Sequence, residues 1–163
     1  MENIKEDIKE KIIDLISISS LGRLIIFKPE KKVFGEDLSI AKRADYNEEN
    51  ILIKVISLIK PSDSIVLIKD FLKEDIRTND NFYFLFVCFD VIKQKIEDYV
   101  WIIPSLKLKE LAMRDNSNQN NKIFTVKIFL GNKKKDEYSE FLISVKNLGK
   151  FIFNLANLKK NKK

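Results

Sequence analysis

Apolar positions follow two different periods along the chain, and the changes from one period to the other mark its elements. Ile4, Ile8, Ile12, Leu15 and Ile16 recur every three or four residues, the spacing that lines one face of a helix and buries it against a core. This predicts a helix over residues 2–19, stopped by Ser19, Ser20 and Gly22. Period two then takes over. Arg23 to Lys28 reads as a strand ended by Pro29. In Asp37 to Arg43, Leu38 and Ile40 point one way and Asp37, Ser39 and Ala41 the other. After the polar loop Ala44 to Asn50, the strand Ile51 to Ser57 sets Leu52, Lys54 and Ile56 opposite Ile51, Ile53 and Val55. Both faces of that strand are largely apolar, as in a strand covered on both sides.

Between Lys60 and Arg77 the pattern weakens. Pro61, Ser62 and Asp63 resemble a turn, leading to a short extended piece and then a turn of helix. Phe82 to Ile92 is the strongest strand, with Phe82, Phe84, Phe86 and Cys88 alternating against Tyr83, Leu85, Val87 and Phe89. Lys93 to Asp98 makes a polar turn, and Tyr99 to Ile103 returns as the hairpin partner. Pro104 ends it, and the Ser105 hydroxyl is placed to cap a helix from Leu106 to Arg114. A polar loop, Asp115 to Lys122, precedes a strand from Ile123 to Leu130, and Gly131 to Asp136 turns the chain. From Glu137 onwards, Tyr138, Phe141, Leu142, Val145, Leu148, Ile152 and Leu155 predict one long helix of about five turns.

This order of elements is that of an α/β protein, and 163 residues suffice for one domain with its own core. The domain is expected over residues 1–158, followed by a flexible basic tail at 159–163. Lys159, Lys160, Lys162 and Lys163 contribute four of the net +6 charges, which leaves +2 for the folded body. No stretch approaches the ~20 apolar residues that a membrane helix needs, and no secretory signal opens the chain. The cytoplasm is the expected address, with no membrane partner.

Chemistry is bounded first by what is missing. Histidine is absent, which removes Ser/His and Cys/His nucleophile pairs and the commonest zinc arrangements. Four scattered glycines form no phosphate-cradling loop. The single cysteine, Cys88, lies within Phe-Leu-Phe-Val-Cys-Phe and is expected to be buried. Trp101 and Tyr99 alternate within an apolar strand and suit core packing better than base stacking.

The order helix, three strands, strong hairpin, helix resembles the PD-(D/E)XK nuclease-like superfamily, and so do local phrases over roughly residues 5–113. Gly-Glu-Asp-Leu at 35–38 is similar to the segment that carries that superfamily's metal-binding aspartate. Ile-Leu-Ile-Lys-Val-Ile-Ser at 51–57 is similar to its third strand, where an acid or Gln, a spacer and a catalytic Lys stand. Trp-Ile-Ile-Pro-Ser ahead of Lys-Glu-Leu-Ala resembles small members of the group. The resemblance implies a restriction-endonuclease-like fold, a central mixed β-sheet flanked by helices, and chemistry in which two carboxylates hold Mg²⁺ beside a lysine.

This chain departs from that pattern. Asp37 fits the first carboxylate, but Lys54 stands at the second position and Ile56 at the lysine's. A divalent ion about 4 Å from an ammonium is repelled by about 8 kcal/mol at an effective dielectric near 20. Asp14 on the first helix is a weaker candidate acid, and Lys42 a substitute lysine on the face opposite Asp37. The expected arrangement is an Asp37–Lys54 ion pair, the ammonium taking the metal's place. Lys42, Arg43, Lys133, Lys134 and Lys135 are candidate phosphate contacts.

The reading is therefore a nuclease-like domain without catalysis, serving as a binding or accessory module for DNA or RNA and needing no cofactor. An active Mg²⁺-dependent nuclease with relocated residues is the alternative. A protein-interaction subunit, such as a homodimer, is a third, separated from the first by salt-dependent retention on DNA.

Overall fold

The computed structural model describes residues 2–45, 49–60, 66–116, 122–130 and 136–160. The stripe from Ile4 to Ile16 forms the helix Glu2–Ser19 (α1), with Ile8, Ile12 and Ile16 buried. Strands Leu24–Phe27 (β1), Leu38–Lys42 (β2) and Ile51–Ile59 (β3) follow, then Val66–Leu72 (β4), Phe82–Asp90 (β5) and Lys95–Pro104 (β6). The helix Ser105–Asp115 (α2), strands Ile123–Phe129 (β7) and Leu142–Ser144 (β8), and the helix Leu148–Lys160 (α3) complete the chain.

Six strands form the central sheet in the order β1-β2-β3-β5-β6-β8. The β3–β5 pair is parallel, and the other pairs of this sheet are antiparallel, so the sheet is mixed as expected. Every residue of β5 is buried, because layers cover both of its faces. Tyr83, Leu85, Val87 and Phe89 share a core with Ile8, Ile12 and Ile16 of α1 and Leu148 and Ile152 of α3. Phe82, Phe84, Phe86 and Cys88 share the other core with α2 and with a separate two-stranded sheet, β4–β7. Phe71 of β4 meets the rings of Phe84 and Phe86 edge-on, at centroid distances of 5.9 and 6.1 Å, a favoured aromatic geometry. Trp101 is buried in the second core, whereas Tyr99 is exposed near the sheet edge.

The C-terminal region departs from the expected long helix. Leu142–Ser144 pairs with Tyr99–Trp101 and gives the sheet its sixth strand, and a tight turn at Val145–Asn147 leads into α3. The i, i+3, i+4 spacing from Tyr138 to Leu148 survives because both cores claim residues there: Tyr138 belongs to one and Val145 and Leu148 to the other. β6 also starts earlier than predicted, since Val91–Gln94 makes the hairpin turn, with Gln94 at φ 50°. Ser105 is not a helix cap. Its buried hydroxyl donates to the Asn79 carbonyl (2.9 Å) and accepts from the Asn79 N–H (3.0 Å), tying α2 to the loop before β5.

Two glycines answer to geometry. Gly35 sits at φ 82°, a region that disfavours side chains. At Gly149 an added Cβ would lie 2.2 Å from the Ile16 carbonyl oxygen, so α3 crosses α1 in contact with its backbone. The Gly149 N–H donates to Ser19 Oγ at 2.8 Å in the same crossing. Lys28 fastens the other end of α1 to β1 through Glu6 and Glu10. Hydrogen bonds to Glu10 and Glu6 push its ammonium up to about 12. Among the described residues no helix is long and apolar enough to cross a membrane. Lys133, Lys134, Lys135 and the side chains of the expected tail at 159–163 lie outside the described residues.

Candidate functional site

Asp37 stands where the loop after β1 joins β2, and the preceding turn fixes its approach. Glu36 is buried, and its carboxylate accepts from the backbone N–H groups of Val33 (3.2 Å) and Phe34 (2.8 Å). Arg77 holds the same loop by donating to the Val33 carbonyl at 2.8 Å. The Asp37 N–H then donates to the Ile53 carbonyl at 2.8 Å, while its Oδ2 accepts from the Val55 N–H at 3.0 Å. The side chain thus extends the β2–β3 ladder by one rung after the backbone has turned away at Gly35.

The other oxygen of Asp37 belongs to two lysines. Oδ1 lies 2.9 Å from Lys9 Nζ on α1 and 3.4 Å from Lys32 Nζ on the loop. Only 11% of the Asp37 side chain is exposed, against 49% for Lys32, so the Lys9 contact is the more consequential of the two. Lys9 also meets Glu6 at 3.8 Å. There Lys28, hydrogen-bonded to Glu6, holds that carboxyl below the usual carboxylate range.

The expected Asp37–Lys54 ion pair does not form. The β2–β3 register ends at Leu38–Ile53, and beyond it the Asp37 N–H and carboxylate bond to Ile53 and Val55, on either side of Lys54, so the carboxylate turns into the ladder. The Lys54 ammonium lies instead against Gly35, 3.3 Å from where a Cβ there would sit. Among the described residues Lys54 makes no ion pair. The site is therefore one carboxylate engaged by Lys9 and Lys32, with Lys54 against the neighbouring Gly35 and Arg77 hydrogen-bonded to the same loop.

These residues do not fit Mg²⁺. Both Asp37 oxygens already accept from N–H donors, and an ammonium occupies the second acid's position. Among the described residues no group of three or more His, Cys, Asp or Glu is arranged to hold a metal ion. Ile56, at the lysine position, is buried in the second core beside Phe86. What remains is a cluster of cations suited to meeting an anion.

The other candidates are scattered. Asp14 lines a separate hollow of about 350 Å³ with Lys11 and the turn before β6. Lys42 is buried rather than presented on a loop, its Nζ 2.9 Å from Asp45 Oδ2 and 3.3 Å from Asn157 Oδ1. Arg43 is exposed, with Nε donating to the Gly22 carbonyl. Sequence reasoning missed Lys9 and Arg77, since their convergence on the Asp37 loop is tertiary. Lys32 stands with Lys28 and Lys31 in a short basic stretch that is visible in the sequence. Cys88 is buried as expected, and burial pushes its thiol up to about 11.

No protein-family model matches the sequence, and no curated protein matches it. In structure the chain is similar to a bacterial homing endonuclease, I-Ssp6803I, at a TM-score of 0.55 and 12% identity, with 96% of this chain and 94% of that chain covered. At that identity the fold is what is shared. The chain is a single α/β domain with a mixed central sheet flanked by helices, a nuclease-like fold.

Proposed function

We propose that this domain is a degenerate member of the PD-(D/E)XK superfamily that binds nucleic acid without cutting it. The observation that carries this reading is the state of Asp37. On a nuclease-like scaffold, the one acid at the expected place is consumed by the Val55 N–H and two ammonium groups. Hydrolysis on this plan needs carboxylates free to converge on a divalent ion. Phosphate binding needs only a cluster of cations, and Lys32, Lys54 and Arg77 supply one around this loop.

Two assays test the reading. Incubation of plasmid with the protein and Mg²⁺ or Mn²⁺ should give no cleavage, and calorimetry should find no tight Mn²⁺ site. Cleavage that disappears in Asp37→Ala would establish an active nuclease instead. Retention on immobilised DNA should be strong at low salt and fall steeply as salt rises, because each neutralised phosphate releases counterions. Absence of retention at any salt would favour a protein-interaction subunit.

A further inference from the structure

We infer that a second, separate anion site lies at the other end of β2, where Arg23 and Arg43 together hold a phosphate group. A pocket of about 420 Å³ opens there between the turn after α1, the end of β2 and the last turns of α3. β2 spans five residues, about 17 Å of extended chain, so this pocket is separate from the cation cluster at Asp37.

The two arginines are cross-strand neighbours. Leu24 pairs with Lys42, and one step further the Arg43 N–H donates to the Arg23 carbonyl at 2.9 Å. Like charges directly opposite on paired strands repel. Both side chains are nevertheless fixed in place. Arg23 Nε donates to the Ser20 carbonyl and Arg43 Nε to the Gly22 carbonyl, each at 2.9 Å. The Arg23 guanidinium also lies 4.1 Å from the centroid of the Phe153 ring, which sets its plane. Among the described residues no acceptor meets the terminal nitrogens of either arginine. Among the described residues, both guanidinium groups therefore line the pocket without a counter-ion.

The floor of the pocket does not supply one. Asp45 is its one described acid, and that carboxylate is engaged by the buried Lys42 ammonium, itself held by Asn157. Among the described lining residues, Arg23, Lys42 and Arg43 against Asp45 leave a net charge of +2. A carboxylate fills one guanidinium fork, whereas a phosphate offers at least three acceptor oxygens and up to two negative charges, enough for both. The chemical class is thus a phosphate ester, either the phosphorylated end of a nucleic acid or a small phosphorylated compound. The inference rests on the nucleic-acid reading only for the first of these sources.

The experiment is calorimetric titration of pyrophosphate into the full chain at low salt, and into the double variant Arg23→Gln, Arg43→Gln. The intact protein should bind, and the variant should bind at least about tenfold more weakly. If circular dichroism shows the variant unfolded, Arg23→Lys with Arg43→Lys keeps the charge, removes the forks and should show the same loss. No pyrophosphate binding by the intact protein, or equal binding by a folded variant, overturns the site. Oligonucleotides with and without a 5′-phosphate separate the sources. A preference for the phosphorylated form that the double variant loses supports the site and assigns it a nucleic-acid end. Arginine-dependent pyrophosphate binding without DNA retention supports the site for small phosphate compounds while refuting the nucleic-acid function.

Discussion

Asp37 does for Val55 what a backbone carbonyl does elsewhere along the ladder, and its substitution should report that role separately from its charge. Asp37→Ala leaves the N–H of the buried Val55 without an acceptor and Lys9 without its counter-charge. Urea denaturation should show a loss of about 2–4 kcal/mol. Asp37→Asn keeps an oxygen for the N–H and should lose about half as much; equal losses would mean that the ion pairs dominate. Sequence alternation suggested that Asp37 and Lys54 share a face, but could not show that the carboxylate would enter the ladder. Cys88 supplies a pH test. Its thiol is raised from 9.0 to about 11, first by burial and then by the nearby Glu97. The unfolded chain therefore releases this proton first, and stability contributed by the neutral thiol is complete below pH 9 and lost as pH rises towards 11. Denaturation midpoints for the native protein should fall across that window more steeply than those of Cys88→Ala. Parallel profiles would show that the thiol does not titrate with unfolding.

Among the elements, the α1–α3 crossing is held by contact between backbones, which makes it intolerant of a single methyl group. Gly149→Ala would set a Cβ 2.2 Å from the Ile16 carbonyl oxygen and 2.6 Å from the Ser20 nitrogen. Neither is a flexible side-chain end, so the helices must separate. The expected loss is about 3 kcal/mol, seen as a lower urea midpoint. An unchanged midpoint would mean that α3 moves freely on α1. This crossing was not legible in the sequence, because a lone glycine inside an apolar helical stripe looks like a mild propensity fault; the alternation told more elsewhere. It made β5 legible, since unbroken alternation of large apolar residues admits only a strand covered on both faces. It hid the break before α3 because β8 is three residues long and exists only through pairing with Tyr99–Trp101. The candidate site was legible as a position, Asp37 after Gly35, and illegible in its partners, which α1 and the loop bring from outside the sheet.

For the molecule as a whole, the layers imply a gradient of stability. β5 lies between β3 and β6 and is buried throughout, whereas β1 and β8 form the two edges of the sheet. Amide hydrogen exchange should be slowest in Phe82–Asp90 and fastest, among the strands, in Leu24–Phe27 and Leu142–Ser144. Fast exchange in β5 would contradict the layered core. The same architecture has a consequence in time. β4 takes no place in the central sheet and pairs instead with β7, joining Leu72 to Ile123 and Val66 to Phe129 across more than fifty positions of chain. On the ribosome β4 emerges early and waits while β5, β6 and α2 are synthesised. Until β7 arrives, the faces of Phe71, Phe84 and Phe86 that the small sheet later covers stay open to water. Closing so long a loop is slow, so the nascent chain carries an aromatic surface until β7 has been made and depends on its charged neighbours, or on chaperones, to keep it from other chains.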